Sequence, residues 1–297
     1  MATVQDIKRR VNSVKNTSKI TKAMELVAAA KLRRAEQRIE ALRPYAERMR
    51  ELMIRTARAT PARGFPLLEA REDVGSVAIL PLTGDRGLAG GFNAQVIRRA
   101  LALERDARGE GRDVRWLAVG KKGRSTLRFR RYEIECAWTD FTDRPTYADA
   151  AAIANKVAEL FTNRDVDRVA MVYNHYVSPL TQTVTVEEML PVPRAALEQD
   201  EDKSAYEIAL EGDVIYEPEP DIILARLLPT YVETTIYRAL LESTASEHGA
   251  RMTAMRNASK NAGDLIDRLT LEMNRARQAE ITQEILEVVA GADALTQ

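Results

Sequence analysis

Two helix-patterned stretches, one toward each terminus, leave this chain few ways to fold. The first runs from about Thr3 to Arg58 with no glycine and a single proline, Pro44. Its apolar residues Ala35, Ile39, Leu42, Ala46, Met49 and Met53 recur at spacings of four and three, the stripe of a coiled-coil seam. Upstream, Ile7, Val11, Val14, Ile20, Met24 and Val27 keep a looser version of it. At about 1.5 Å rise per residue such a helix is roughly 80 Å long, far more than a small domain accommodates. The second stretch opens after Pro229 and continues to Gly291, placed as its C-terminal stop. There Met255, Ala258, Ala262, Leu265, Leu269, Met273 and Ala276 repeat the same spacings, and Gly249 and Gly263 are the only helix-weakening residues. This helix would span roughly 90 Å. Stripes of this length have to be covered, and mutual wrapping covers both at once. The expectation is an antiparallel coiled coil that brings the two termini together.

From Gly75 the pattern changes. Short apolar runs at Val77 to Leu82, Val114 to Val119, Tyr132 to Ala137, Val166 to Tyr173 and Thr183 to Val186 read as strands. Ala94 to Arg108, Lys121 to Phe129 and Tyr147 to Phe161 read as intervening helices, the last capped by Thr146. Strands alternating with helices imply an α/β unit with a largely parallel, Rossmann-like sheet. The chain thus divides into an N-terminal coiled-coil helix (1–58), a central α/β domain (74–200) and a C-terminal segment with the second long helix (201–297).

Composition excludes several classes. No apolar run is long enough to cross a membrane, and the N-terminus has neither a signal core nor a transit-peptide bias, so cytoplasmic synthesis is expected. The single cysteine, Cys136, forms no internal disulfide, and His175 and His248 have no metal-ligand spacing around them. Net charge is zero but unevenly spread: residues 1–58 hold 15 Lys and Arg against 6 Asp and Glu, whereas Glu198 to Glu219 holds nine acids and one Lys. The basic arm is either a solvated face or a surface for an acidic partner.

The turn Leu82 to Asn93, LTGDRGLAGGFN, sits where phosphate-binding loops lie, after a strand and before a helix. It lacks the Lys-Ser/Thr of a P-loop and the G-x-G-x-x-G of a dinucleotide loop, so a tight structural turn is the better reading. Asp85 with Arg86, Glu187 with Glu188, and Ser178 with His175 have no second convergent group at recognisable spacing. Nothing catalytic is expected of this chain, and no cofactor or metal.

Three segments carry a resemblance: IKRRVNSVKNTSKITKAMELVAAAKLRRA from Ile7, TGDRGLAGGFN from Thr83, and RMTAMRNASKNAGDLIDRLTLEMNRARQAEITQEILEVVAGADAL from Arg251. Together, in order and over essentially the whole chain, they resemble the gamma subunits of bacterial F-type ATP synthases. Two positions depart from the common pattern, Ala89 within GLAGG and Glu280 within ARQAEIT. The resemblance implies a rotor: the paired terminal helices form the central stalk inside a head of alternating alpha and beta subunits. The α/β domain stands with the epsilon subunit on the membrane ring of c subunits. It implies peripheral attachment at the cytoplasmic side of the cell membrane, with catalysis on the beta subunits. By the same resemblance Lys19, Lys22 and Met24, with Arg277, Gln278 and Thr282, contact beta. Leu286, Val288 and Val289 run in the bearing of the head, and Arg43, Pro44 and Tyr45 with Tyr216, Glu217 and Pro218 form the foot at the c ring. The competing expectation is a coiled-coil scaffold or nucleic-acid-binding protein using the basic arm. Residues 1–58 offer it one aromatic side chain for base stacking, Tyr45.

Overall fold

The computed structural model describes residues 3–59, 64–71, 73–192, 217 and 219–295. Helix α1 spans Val4–Ala59, and the last helix, α5, spans Pro220–Leu295. Between them lie β1 (Ser76–Pro81), α2 (Phe92–Gly109), β2 (Asp113–Val119), α3 (Lys121–Phe129), β3 (Ile134–Trp138), α4 (Tyr147–Thr162), β4 (Arg168–Tyr176) and β5 (Gln182–Leu190). The chain forms two compact units, Met1–Ala29 with Arg251–Gln297, and Ala30–Ala250. These cut through both long helices rather than following the changes in composition.

In the larger unit the strand order is β3-β2-β1-β4-β5, with four parallel strands and β5 antiparallel to β4. The period-two alternation of the strands sorts their side chains onto two faces. Val77, Ile79, Trp116 and Val172 pack under α2 and α3 with Val96, Ala100 and Leu127. Ala78, Leu80, Leu117 and Met171 face the opposite way, into a larger core shared with α4, with Met53 and Ile54 of α1, and with Leu224, Leu228 and Ile236 of α5. Helix α4 starts as its sequence demands: Thr146 and Asp149 form a reciprocal capping box. Strand β5 outruns its expected length because its Thr and Glu residues break the apolar pattern, yet its backbone pairs continuously with β4 apart from one bulge.

Two expectations about α5 are corrected. It begins nine residues before Pro229, at Pro220, where a missing N–H costs nothing. Pro229 lies inside it, between turns whose Leu224, Leu228 and Val232 are at most 2% exposed. That burial outweighs the roughly 3 kcal/mol that an interior proline costs. Gly291 does not stop the helix either, since glycine weakens a helix by about 1 kcal/mol without ending it unless it turns left-handed.

The smaller unit is an antiparallel helix pair, because the partners on α5 fall in number as those on α1 rise. Ile7 and Val11 pack with Leu269, Met273 and Ala276. Farther along, Ser18 Oγ lies 3.5 Å from Ser259 Oγ, and Arg256 Nε donates to Glu25 at 3.0 Å. The seam therefore runs through Ile7, Val11, Val14, Ser18, Thr21, Glu25 and Ala28, a regular four-and-three repeat that turns polar in the middle. Ile20 and Val27, expected in the seam, are 60% and 57% exposed. On α5 the seam takes Ile266, and Leu265 points outward at 38% exposure.

At the end of β1, Thr83 ties three elements together. Its hydroxyl donates to Val119 O (2.7 Å) and accepts from Gly123 N (2.8 Å). Gly120 comes so close that a Cβ there would lie 2.1 Å from Thr83 O, and its φ is +89°. Gly120→Ala should therefore cost at least about 2–4 kcal/mol of unfolding free energy, combining positive φ with backbone overlap. A urea midpoint equal to that of the parent would refute this close packing.

The Glu25 carboxyl is held below its ordinary pKa by the Arg256 guanidinium first and Lys22 second. Such a carboxyl adds stability above its unfolded pKa and loses it as pH falls through the lower folded value. Amide hydrogen-exchange protection around residues 18–28 should thus weaken on acidification below pH 4.5. Glu25→Gln should lose about 0.5–1 kcal/mol near neutrality and flatten that dependence. A pH profile identical in the parent and the variant would contradict the assignment.

Candidate functional site: a closed crevice and open helix faces

β1 lies between β2, to which its own connection leads, and β4, which the chain reaches by crossing back from β3, and the crevice beyond the carboxyl ends of strands at such a reversal is where open α/β sheets bind ligands. Here it is filled by α5. Thr244 Oγ1 donates to Thr142 O (2.9 Å) and Ser246 Oγ to Asn174 O (3.0 Å), both fully buried. The Glu247 carboxylate rests on Gly84, where a Cβ would meet it at 2.6 Å. His248 Nε2 approaches Asp143 at 3.6 Å, and Lys31 pairs with the same carboxylate at 2.5 Å. The glycine-rich turn thus accommodates the chain's own carboxylate. Asp85 does not pair with Arg86; it accepts from Lys121 N (2.9 Å) and from the backbone and hydroxyl of Thr142 (3.1 and 2.9 Å), fastening the turn to the neighbouring loops.

The remaining titratable candidates are braces between β4, β5 and α5. Arg238 holds Glu187 through both carboxylate oxygens (2.7 and 2.8 Å), Glu242 at 3.1 Å and the Tyr173 hydroxyl at 3.2 Å. Burial opposes its charge, but the Glu187 carboxylate leads the surrounding groups in holding the guanidinium above its ordinary pKa. Burial likewise pushes the Tyr173 phenol up. His175 Nδ1 lies 2.6 Å from Glu242, and Ser178 serves the hairpin turn with Thr181. Glu188 pairs with Arg168 rather than with Glu187. No group of three or more His, Cys, Asp or Glu is gathered for a metal ion among the described residues, and no helix there is long and apolar enough to cross a membrane.

What is left open to solvent lies on the long helices. Lys8, Arg9, Arg10, Lys15, Lys19 and Lys22 are all exposed, Lys22 reaching Glu25 at 3.1 Å. Met24 is half-buried, while Leu26 beside it is 62% exposed. Arg277, Gln278 and Thr282 are exposed on α5; Thr282 donates its hydroxyl proton to Gln278 O (2.8 Å), leaving its oxygen as an acceptor. Beyond Ala276 no side chain of α5 from Arg277 to Ala290 is buried, including Ile281, Ile285, Leu286, Val288 and Val289. An apolar run of this extent facing water marks an interaction surface. Leu26, Ile281 and Ile285 belong to these faces and escape a seam-based reading, since only their misfit to the heptad register distinguishes them, and Ile20, expected in the seam, joins them. At the other end of α1, Arg43, Pro44 and Tyr45 are exposed, as is Glu217; Tyr216 and Pro218 lie outside the described residues.

Comparison with known proteins identifies the arrangement. The family model described as ATP synthase matches residues 3–295. The ATP synthase gamma chain of Rubrobacter xylanophilus is 45% identical over 295 residues, 99% of each chain, and that of Moorella thermoacetica is 45% identical over 99% of this chain and 100% of its own. Among solved structures, the central stalk and c ring of the Tetrahymena thermophila mitochondrial ATP synthase contains a chain with a TM-score of 0.59 and 28% identity, over 81% of this chain and 99% of that one. A chain of the Euglena gracilis mitochondrial ATP synthase shares the fold, with a TM-score of 0.67 at 19% identity over 98% and 94%. This chain, an α/β unit with its crevice closed by its own last helix and with long helices left open to solvent, belongs to the ATP synthase gamma-chain family.

Proposed function

We propose that this chain is the central-stalk rotor of an F-type ATP synthase, coupling ion flow through a membrane ring to ATP synthesis in an alpha/beta head by rotation. It carries no catalytic group of its own, and its place at the cytoplasmic side of the cell membrane comes through the complex. The observation that carries this reading is the exposed α5 segment from Arg277 to Ala290, whose apolar side chains call for a surrounding sleeve. Residues 1–58, 74–200 and 201–297 serve it as first stalk helix, α/β domain and second stalk segment. The primary test is what a tagged copy brings down from membranes. Alpha, beta and epsilon chains in a 3:3:1 ratio to this one support the proposal, and their absence contradicts it.

Lys19, Lys22 and Met24, with Arg277, Gln278 and Thr282, are proposed to meet the beta subunits. Gln278 and Thr282 are an i, i+4 pair on one helix face and can meet one partner loop. Neutral hydrogen bonds there break and re-form easily, while Arg277 engages a carboxylate more strongly. Leu286, Val288 and Val289 run in an apolar bearing. Arg43, Pro44 and Tyr45, with Tyr216, Glu217 and Pro218, form the foot on the c ring, where Tyr45 presents an apolar ring and a polar tip to polar loops.

Losing a hydrogen bond costs about 0.5–1.5 kcal/mol, or up to about 3 when charged, enough to slow a rotary step by one to two orders of magnitude. Arg277→Ala should therefore impair turnover or assembly more than Thr282→Ala, and the Gln278→Ala, Thr282→Ala pair more than either alone. Parental synthesis and hydrolysis rates in a complex carrying all three substitutions would show that this face is merely solvated. At the foot, Tyr45→Asp with Arg43→Glu should reduce protons pumped per ATP while the detached head hydrolyses normally. An equal loss of hydrolysis in the detached head would count against the foot.

A further inference from the structure

The outer layer of the α/β unit carries a surface that none of these contacts uses. Residues 92–131 hold 12 Lys and Arg against 4 Asp and Glu in a chain of zero net charge. An open groove of about 570 Å³ runs between α2 and α3. Its floor is apolar, from Ile97 and the half-buried Leu101, and both walls are cationic: Arg98 and Arg105 on α2, Lys122 on α3 and Arg130 just past its end. These four cations make no ion pair among the described residues, whereas Arg108, Arg112, Arg115 and Lys121 nearby are all paired. Glu104, the one acid lining the groove, is already taken by Arg108 at 3.0 Å and the Tyr132 hydroxyl at 2.8 Å.

A solvated basic helix face explains the charge but not the rest. It requires neither an apolar floor between two rows of cations nor Phe129, which stands 89% exposed on the stripe of Lys122 and Thr126. Aromatic and arginine side chains around an apolar centre are the composition of a protein interface core. The α2 wall from Ala94 to Arg105 covers roughly 16 Å, about three helical turns. An amphipathic helix laid in such a groove places its apolar positions on the floor and its flanking charges against the walls. With both walls cationic, those flanks have to be acidic.

We propose that the α2–α3 groove docks an acidic amphipathic helix of another subunit of the assembly. The partner's membership in that assembly rests on the rotor reading; the chemistry of the groove does not. The test places a photoreactive side chain at Thr126 of the full chain and irradiates the intact complex purified from membranes. The expected adduct maps to a segment of a second subunit with excess Asp and Glu and apolar residues at three-and-four spacing. Arg98→Glu with Arg105→Glu should lower its yield about tenfold, because like charges then face one another. The milder Arg98→Gln with Arg105→Gln should lower it less, which keeps the test valid if the reversal disturbs folding. An assembled complex that gives no adduct, an adduct only with lipid, an adduct on a basic segment, or a yield indifferent to both double variants would overturn the proposal. A chain that fails to bring down alpha and beta would instead overturn the rotor reading.

Discussion

A helix of 76 residues cannot bury its own apolar stripe, and everything else in this protein follows from where that stripe is covered. Over its first part α5 is covered by the sheet and α4, with Leu224, Leu228, Val232, Ile236 and Leu240 inside a large core. Over residues 255–276 it is covered by α1 alone, through a narrow seam of one apolar position every three or four residues. From Arg277 to Ala290 none of its side chains is buried among the described residues. The same helix is thus anchored, then paired, then offered outward.

The anchoring uses a crevice that related sheet architectures reserve for ligands. Thr244, Ser246, Glu247 and His248 enter it from little more than one turn of one helix, and Gly84 and Gly120 are small because other groups must come close. Filling the site with hydrogen-bonded side chains trades a binding function for a rigid joint. Arg238 with Glu187 and Glu242 braces the same helix against β5, and removing the guanidinium would take from the buried Glu242 carboxylate its arginine partner. A rotor subunit needs stiffness where it is held and slack-free pairing beyond, and these contacts supply the first.

Much of this was legible in the sequence. Helix α3 has the bounds its pattern predicts, Lys121 to Phe129, and Thr146 caps α4 as expected. All five strands appear, because short apolar runs between turns have few alternatives. The seam was harder. Leu265 and Ile266 are adjacent and both apolar, so periodicity alone does not choose between them. Ser18, Thr21 and Glu25 are seam residues that hydrophobicity cannot register. The start of α5 was hidden by Pro229, whose cost only tertiary burial outweighs. Of the site residues, exposure bears on them in the same terms: Leu286, Val288 and Val289 look like core by type and stand in solvent. Hydropathy does not distinguish a buried face from one waiting for another chain.

A rotor of this kind turns as a whole against a fixed head. The direct measurement immobilises the alpha/beta head on a surface, attaches a bead to a cysteine introduced in the α/β unit on a Cys136→Ser background, and adds ATP. The bead should rotate unidirectionally in a threefold-stepped cycle and stop when ATP is withdrawn. ATP hydrolysis at full rate with the bead stationary, in a complex containing the intact chain, would contradict it.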